Sequence, residues 1–300
     1  MTGQGLKFMN EWKKWPIKII EKKDFPESLK GIKNCPEKIF YRGEWNKNIF
    51  EKVVAIVGSR QITRYGKEVV EKIMPEIVFQ KTTVVSGFMY GVDSQAHGNC
   101  IDLGGKTIAV LGSGLNELCP KDNDKLYTKI LETGGLIISE YEADFKATNW
   151  SFPQRNRIVS GLATVGIVVI EAGIKSGSLI TAKLGLEQSR KILAVPGPIN
   201  SKTSEGTNWL IKTGSAKILT EPKDIFEDKI AMPSQENLFK DYSNLNDLER
   251  IMIDLLENEP MSCDEICQIT KKNVTEVSTT LSMMLMKDLL TEEDGKFYIS

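Results

Sequence analysis

Seven short apolar runs, at residues 53–57, 83–85, 107–111, 136–138, 164–170, 192–195 and 216–219, are spaced along the middle of the chain. Each has strand length, and the segments 68–78, 93–103 and 124–132 between them repeat apolar positions at helical spacing. Strand, helix and strand at this interval make βαβ units. Residues 51–220 are therefore predicted to form an α/β domain with a doubly wound, mostly parallel sheet. Residues 1–50 lack such periodicity, and Pro16, Pro26 and Pro36 forbid a long helix there, so they read as an arm laid on the body. Beyond Leu219 the pattern changes. Residues 221–240 read as a linker, and 245–256, 262–270 and 273–289 as three amphipathic helices, the second capped by Ser262 with Glu265 completing the box. An Asp294-Gly295 turn closes a hairpin over 291–300, which gives residues 241–300 the order of a winged-helix domain.

The densest signal lies in residues 152–182. It reads as a short basic helix with Pro153 at its first position, a buried strand over 163–170, and a Gly/Ser loop over 171–178. Ser178 to Thr181 then opens another helix. Free N–H groups at such a start point back toward the strand end and favour an anion.

Composition sets the outer bounds. At 300 residues, 41% hydrophobic and 26% charged, the chain is long enough for one large core and a smaller one. Its net charge of −1 is unevenly spread: residues 241–300 hold 13 acidic and 5 basic residues, and residues 1–240 hold 27 acidic and 34 basic. A body at +7 beside a tail at −8 permits a polyanion partner for the body. Cys35, Cys100, Cys119, Cys263 and Cys267 are odd in number and scattered, which fits reduced thiols in a cytoplasmic protein and no metal site. No apolar stretch reaches the roughly 20 residues of a membrane span, so the reading is a soluble protein.

In a doubly wound sheet ligands gather at the carboxyl ends of the strands. Here those ends read Gly58-Ser59-Arg60, Ser86-Gly87, Gly112-Ser113-Gly114, Ser139-Glu140, Glu171-Ala172-Gly173 with Ser176-Gly177-Ser178, and Pro196-Gly197-Pro198. Small residues let backbone N–H groups approach a ligand closely. The remaining glycines of a dinucleotide fingerprint are missing, as is a Walker lysine, so no NAD, FAD or other cofactor is expected. The set favours a phosphate backbone held by many modest contacts, with Arg60 as the main cation and the aromatic pair Trp150 and Phe152 nearby.

These motifs carry a family resemblance. Gly58-Ser59-Arg60, Ser-Gly-Phe-Met-Tyr-Gly-Val-Asp at 86–93 with Ala96-His97, Gly112-Ser113-Gly114-Leu115, Phe-Pro-Gln-Arg-Asn-Arg-Ile at 152–158, Ser-Gly-Ser-Leu-Ile-Thr-Ala at 176–182 and Ala-Val-Pro-Gly at 194–197 occur in order. Together they resemble the DNA-processing protein A (DprA/Smf) family over most of the chain. The resemblance implies an extended Rossmann-like domain that binds single-stranded DNA, forms a homodimer and helps load the RecA recombinase on incoming strands during natural transformation. It implies DNA contacts at Arg60, Ser86, Gly87, Asn149, Ser151 and Phe152, to which the loop reading adds Gly58, Ser59, Arg155, Asn156, Lys175, Ser176, Gly177 and Ser178. Phe152 would offer a base a flat face. The chain departs from the family at Cys119, where an aromatic usually precedes the proline, and at Asn149, where some relatives carry a basic residue. The helical domain that precedes the core in many members is almost absent.

Several of these residues have plainer readings. Arg155 and Arg157, about 200° apart round a helix, cannot both face one groove, and each is equally a brace to Glu140 or Glu171. His97 reads as a hydrogen-bonded structural residue, Trp150 as a cover on the core, Asp93 as an N-cap, and Lys175 as either a phosphate contact or a solvated loop lysine. The acidic C-terminal domain reads as a protein-contact module, since phosphate affinity is dominated by cations. The competing function is a nucleoside-monophosphate phosphoribohydrolase of the "lonely guy" type. It would need Glu171 or Glu187 beside the phosphate loop.

Overall fold

Every one of the seven apolar runs becomes a strand; in the first six a continuous run of apolar side chains buries both faces of a parallel strand at once, while the last, with Lys217 in it, forms a two-residue edge strand. The computed structural model describes residues 11–227, 245–256, 259–287 and 289–299. Expectations for residues 1–10, the linker over 228–240 and the domain start at 241–244 fall outside the described residues. The chain divides into two compact units, Met1–Lys229 and Ile230–Ser300.

In the first unit the strands are β1 (Lys18–Glu21), β2 (Lys38–Gly43), β3 (Val53–Val57), β4 (Thr83–Ser86), β5 (Thr107–Val110), β6 (Leu136–Ser139), β7 (Gly166–Val169), β8 (Ile192–Ala194) and β9 (Lys217–Ile218). The helices are α1 (Glu27–Lys30), α2 (Arg64–Phe79), α3 (Val92–Asp102), α4 (Asp124–Glu132), α5 (Ser151–Leu162), α6 (Gly177–Glu187) and α7 (Glu205–Lys212). All nine strands join one sheet in the order β1-β2-β6-β5-β4-β3-β7-β8-β9, parallel from β6 to β9 and antiparallel at β2 against β6 and β1 against β2. One face is covered by α1, α5, α6 and α7 through residues such as Leu29, Ile158, Ala182 and Leu210. The opposite face is covered by α2, α3 and α4 through Val70, Met74, Ala96, Tyr127 and Ile130. This is the doubly wound, Rossmann-like arrangement.

The arm does more than wrap the body. Its strand β2 pairs with β6, Tyr41 opposite Ile138, and so covers an edge that would otherwise present unpaired backbone groups. The Arg190 guanidinium fastens the arm to α5, donating to the carbonyls of Ser28 at 2.8 Å and Gly161 at 2.7 Å.

Chain order reverses at β3: β4, β5 and β6 follow on one side, β7 and β8 on the other. The loops after β3 and β7 diverge there and leave a crevice, the usual ligand position in a doubly wound sheet.

The second unit contains α8 (Asp247–Leu256), α9 (Cys263–Thr270), α10 (Val274–Met286) and a hairpin of β10 (Leu290–Glu293) and β11 (Lys296–Ile299). The capping box of Ser262 and Glu265 is formed. Asp294 and Gly295 have φ of 52° and 76°, the two positive values that a tight hairpin turn of matching twist requires. Met261 bridges to Phe297, and Met252, Ile266, Leu281 and Phe297 share a small core. Among the described residues no helix is long and apolar enough to cross a membrane.

Candidate nucleic-acid interface

A groove of about 710 Å³ occupies the crevice at the chain reversal. Its walls are Gly58, Ser59 and Arg60 after β3, Gly87 and Met89 after β4, the first turns of α5 with Phe152 and Asn156, and the loop from Gly173 to Ser178 ahead of α6. Twelve of the expected site residues meet here: Gly58, Ser59, Arg60, Gly87, Asn149, Phe152, Arg155, Asn156, Lys175, Ser176, Gly177 and Ser178. Arg60, Asn149 and Lys175 are exposed at its rim. The mouth is open, since a Cβ placed on Gly177 would meet nothing within 4 Å.

Ser86 and Ser151 are exceptions. Both are fully buried, and their hydroxyls point inward, Ser86 Oγ donating to the carbonyl of Ile56 at 2.6 Å and Ser151 Oγ to that of Gly112 at 2.6 Å. They pin strand ends together, which leaves their side chains no part in direct DNA contact.

Arg155 requires a similar correction. It is 3% exposed and lies beneath the groove floor, donating to the carbonyls of Gly87 and Val110 and, through Nε, to Asn156 Oδ1 at 3.1 Å. Burial lowers its pKa to about 10, against the pull of Asp93, so it stays cationic at neutral pH. Burial likewise pushes the Asp93 carboxyl above the ordinary carboxylate range, although Arg155 draws it back. Asp93 is the second residue of α3 rather than its N-cap, which is Gly91, yet it still accepts the Met89 N–H at 3.1 Å. Arg157 is the brace. Its guanidinium grips Glu140 with two bonds of 2.6 and 2.7 Å, and its Nε donates to Asn34 O at 2.9 Å in the arm.

The exposed Arg60 and the half-buried Phe152 are combined. The Arg60 guanidinium lies 5.4 Å from the centroid of the Phe152 ring, a cation above an aromatic face. Phe152 is seated by a missing side chain: a Cβ at Gly112 would come within 2.8 Å of the ring. Across the groove Ser176 caps α6, its Oγ accepting from Ser178 N at 3.3 Å and its carbonyl from Leu179 N at 3.1 Å, and the helix start turns the positive end of its dipole toward an anion. Lys202 and Thr203, in the loop after β8, also line the groove. They continue the series of strand-end loops to which Pro196-Gly197-Pro198 belongs. Following that loop a few residues further in the sequence finds a third exposed cation.

Other expectations separate clearly. His97 is buried, bonded through Nδ1 to Thr107 Oγ1 at 2.6 Å, and pushed down to about 3 by burial, as a structural histidine would be. Trp150 does not cover the core; it is 56% exposed. Glu171 is buried and accepts from the Thr63 N–H at 2.9 Å and from the Thr63 hydroxyl, holding the start of α2. Glu187 ends α6, about 16 Å from the loop that opens that helix. Asp93 is thus the only carboxylate lining the groove among the described residues, and it is spent on Met89 and Arg155. The phosphoribohydrolase reading gains nothing from this arrangement.

Comparison with known proteins bears on the same residues. The chain is 39% identical to Protein Smf of Escherichia coli K12 over 204 residues, 68% of this chain and 54% of that one, so it spans about half the length of this relative. It is 38% identical to DNA processing protein DprA of Streptococcus pneumoniae over 218 residues, 73% of this chain and 76% of that one. The X-ray structure of DprA from S. pneumoniae superposes with a TM-score of 0.65 at 35% identity, covering 76% of this chain and 80% of that one. DNA processing protein A from Helicobacter pylori, whose structure is described for its single-stranded DNA binding mode, superposes with a TM-score of 0.64 at 29% identity, covering 71% of this chain and 94% of that one. The model of the family described as DNA recombination-mediator protein A matches residues 17–229, a span that contains the whole sheet and every loop of the groove. The chain belongs to that family, DprA/Smf.

Proposed function

We propose that this protein binds single-stranded DNA in the groove at the chain reversal, protects the incoming strand and helps load the RecA recombinase on it. The observation that carries the proposal is Arg60 lying over Phe152 at the mouth of an open groove. Arg60, Lys175 and Lys202 supply cations for phosphates, and the start of α6 supplies the positive end of a helix dipole. Phe152 supplies a face for a base, which tolerates any sequence because every base has a π-face. A duplex keeps its bases stacked inside and offers no such face. The loading role rests on membership of a recombination-mediator family, and RecA filament growth on a protein-coated strand, with and without this chain, tests it.

Binding of labelled oligo-dT and of duplex at several salt concentrations tests the groove. Arg60→Ala should weaken single-strand binding and flatten its salt dependence by about 0.7 log unit for each phosphate that the side chain no longer neutralises. Phe152→Ala should weaken it by roughly 1–3 kcal/mol with the slope unchanged. If both variants bind as the wild type does, the site assignment is wrong.

The homodimer belongs to the same reading. Ile174, Ile180, Leu186 and Trp209 are exposed around an apolar hollow of about 610 Å³ beside α6 and α7, and we assign this face to a second copy of the chain. The second unit, with three helices and a hairpin among its described residues and a net charge of −8 over residues 241–300, is read as a winged-helix module for protein contact.

A further inference from the structure

We propose that Trp150 is a second stacking face for the bound strand, extending the DNA path along the sheet rim from the groove to the end of β6. The proposal rests on the groove reading and adds a contact outside the groove walls.

Trp150 is 56% exposed and lies one residue from Asn149 and two from Phe152, both on the groove wall. Its ring is also propped. Tyr141 and Phe145, in the loop after β6, stack on each other at 4.4 Å and 16°. Trp150 is steeply inclined to both in edge-to-face contact, 6.0 Å from Tyr141 at 78° and 5.9 Å from Phe145 at 63°. Edge contacts hold an indole while leaving a face for another ring. A side chain held in this way loses little rotamer freedom on binding. The prop is tied to the groove wall as well: Tyr141 donates to Ser151 O at 3.3 Å, and the Ser151 hydroxyl donates to the carbonyl of Gly112, the residue that seats Phe152.

Topology gives the direction of the path. Along the sheet the carboxyl ends follow β7, β3, β4, β5, β6, and they carry in turn Lys175, Arg60, Gly87, Gly112 with Phe152 against it, and the loop that props Trp150. The step from β3 to β6 is three strand spacings, about 14 Å. Trp150 precedes α5 and Phe152 is its second residue, so the two rings leave the helix start on different sides and would meet different bases. Lys146, exposed on the same loop, brings a cation to that end.

The test compares wild type, Trp150→Ala, Trp150→Phe and Arg60→Ala on oligo-dT probes of increasing length, with tryptophan emission recorded during titration. Trp150→Ala should bind the longer probes about 5- to 150-fold more weakly, keep the wild-type salt slope, and match the wild type on the shortest probe that binds. Trp150→Phe should recover most of the loss while removing part of the emission quenching seen in the wild type. If Trp150→Ala binds every length like the wild type while Arg60→Ala is impaired, the second face is refuted and the groove stands. If neither variant differs from the wild type, the groove reading falls and takes this proposal with it. A loss equal at all lengths, or one that changes the salt slope, also overturns it.

Discussion

Phe152 stands where it does because Gly112 has no side chain. An added methyl would sit 2.8 Å from the ring edge, closer than carbon atoms approach, and the ring would have to turn. Gly112→Ala should therefore mimic Phe152→Ala in weakening oligo-dT binding without touching the strand, and a variant that binds like the wild type would show the ring plays no part. His97 makes a separate statement about pH. Its folded pKa of about 3 lies below the ordinary 6.5, so the unfolded chain binds more protons between those values and stability falls as pH drops below about 6.5. His97→Gln keeps a group that can bond Thr107 and removes the titration. Between pH 7.5 and 5 the wild type should lose about 2 kcal/mol more than this variant in urea unfolding; parallel pH profiles would contradict it.

At the scale of elements, α5 is what turns a Rossmann-like sheet into this site. Its helix begins at Ser151, two residues earlier than Pro153 implies, and the proline is tolerated at the third position because none of the first four N–H groups has a partner within the helix. Two buried arginines then anchor it, Arg155 to the ends of β4 and β5, Arg157 to Glu140 after β6 and to the arm. Both side chains of the Arg157–Glu140 pair are about nine-tenths buried, so losing one partner strands a charge. Arg157→Ala or Glu140→Ala should cost roughly 3–5 kcal/mol, and the double variant clearly less than the sum, measured by denaturant unfolding. Additive losses would mean that the pair is not coupled.

Over the whole molecule charge divides as the compact units do. The unit ending at Lys229 carries the groove and the cations, while residues 241–300 hold the excess acid. Removing residues 241–300 should leave oligo-dT affinity within a few-fold of the full chain, because phosphate contacts dominate such binding. A collapse of affinity would place DNA contacts in the acidic unit. In the same truncated chain Leu186→Arg should convert a dimer to a monomer in sedimentation, by placing an unpaired charge on the apolar face beside α6.

The parallel strands, five of the body helices, the C-terminal helices and their hairpin were all legible in the sequence, since each depends on periodicity, caps and turn residues within a few positions. So was the row of small residues and Arg60 at the strand ends. The sheet order, and with it the crevice at β3 and β7, depends on contacts between distant segments that no local pattern encodes. The same holds for β2 on the β6 edge, where a short arm strand gains its meaning only from its partner. Tertiary packing also decided which side chains face the groove or solvent: it turned Ser86, Ser151 and Arg155 inward to satisfy buried carbonyls, and left Lys202 and Trp150 facing out. Side-chain direction at a strand end is set by which carbonyls lie across the sheet, and that is known only once the sheet has closed.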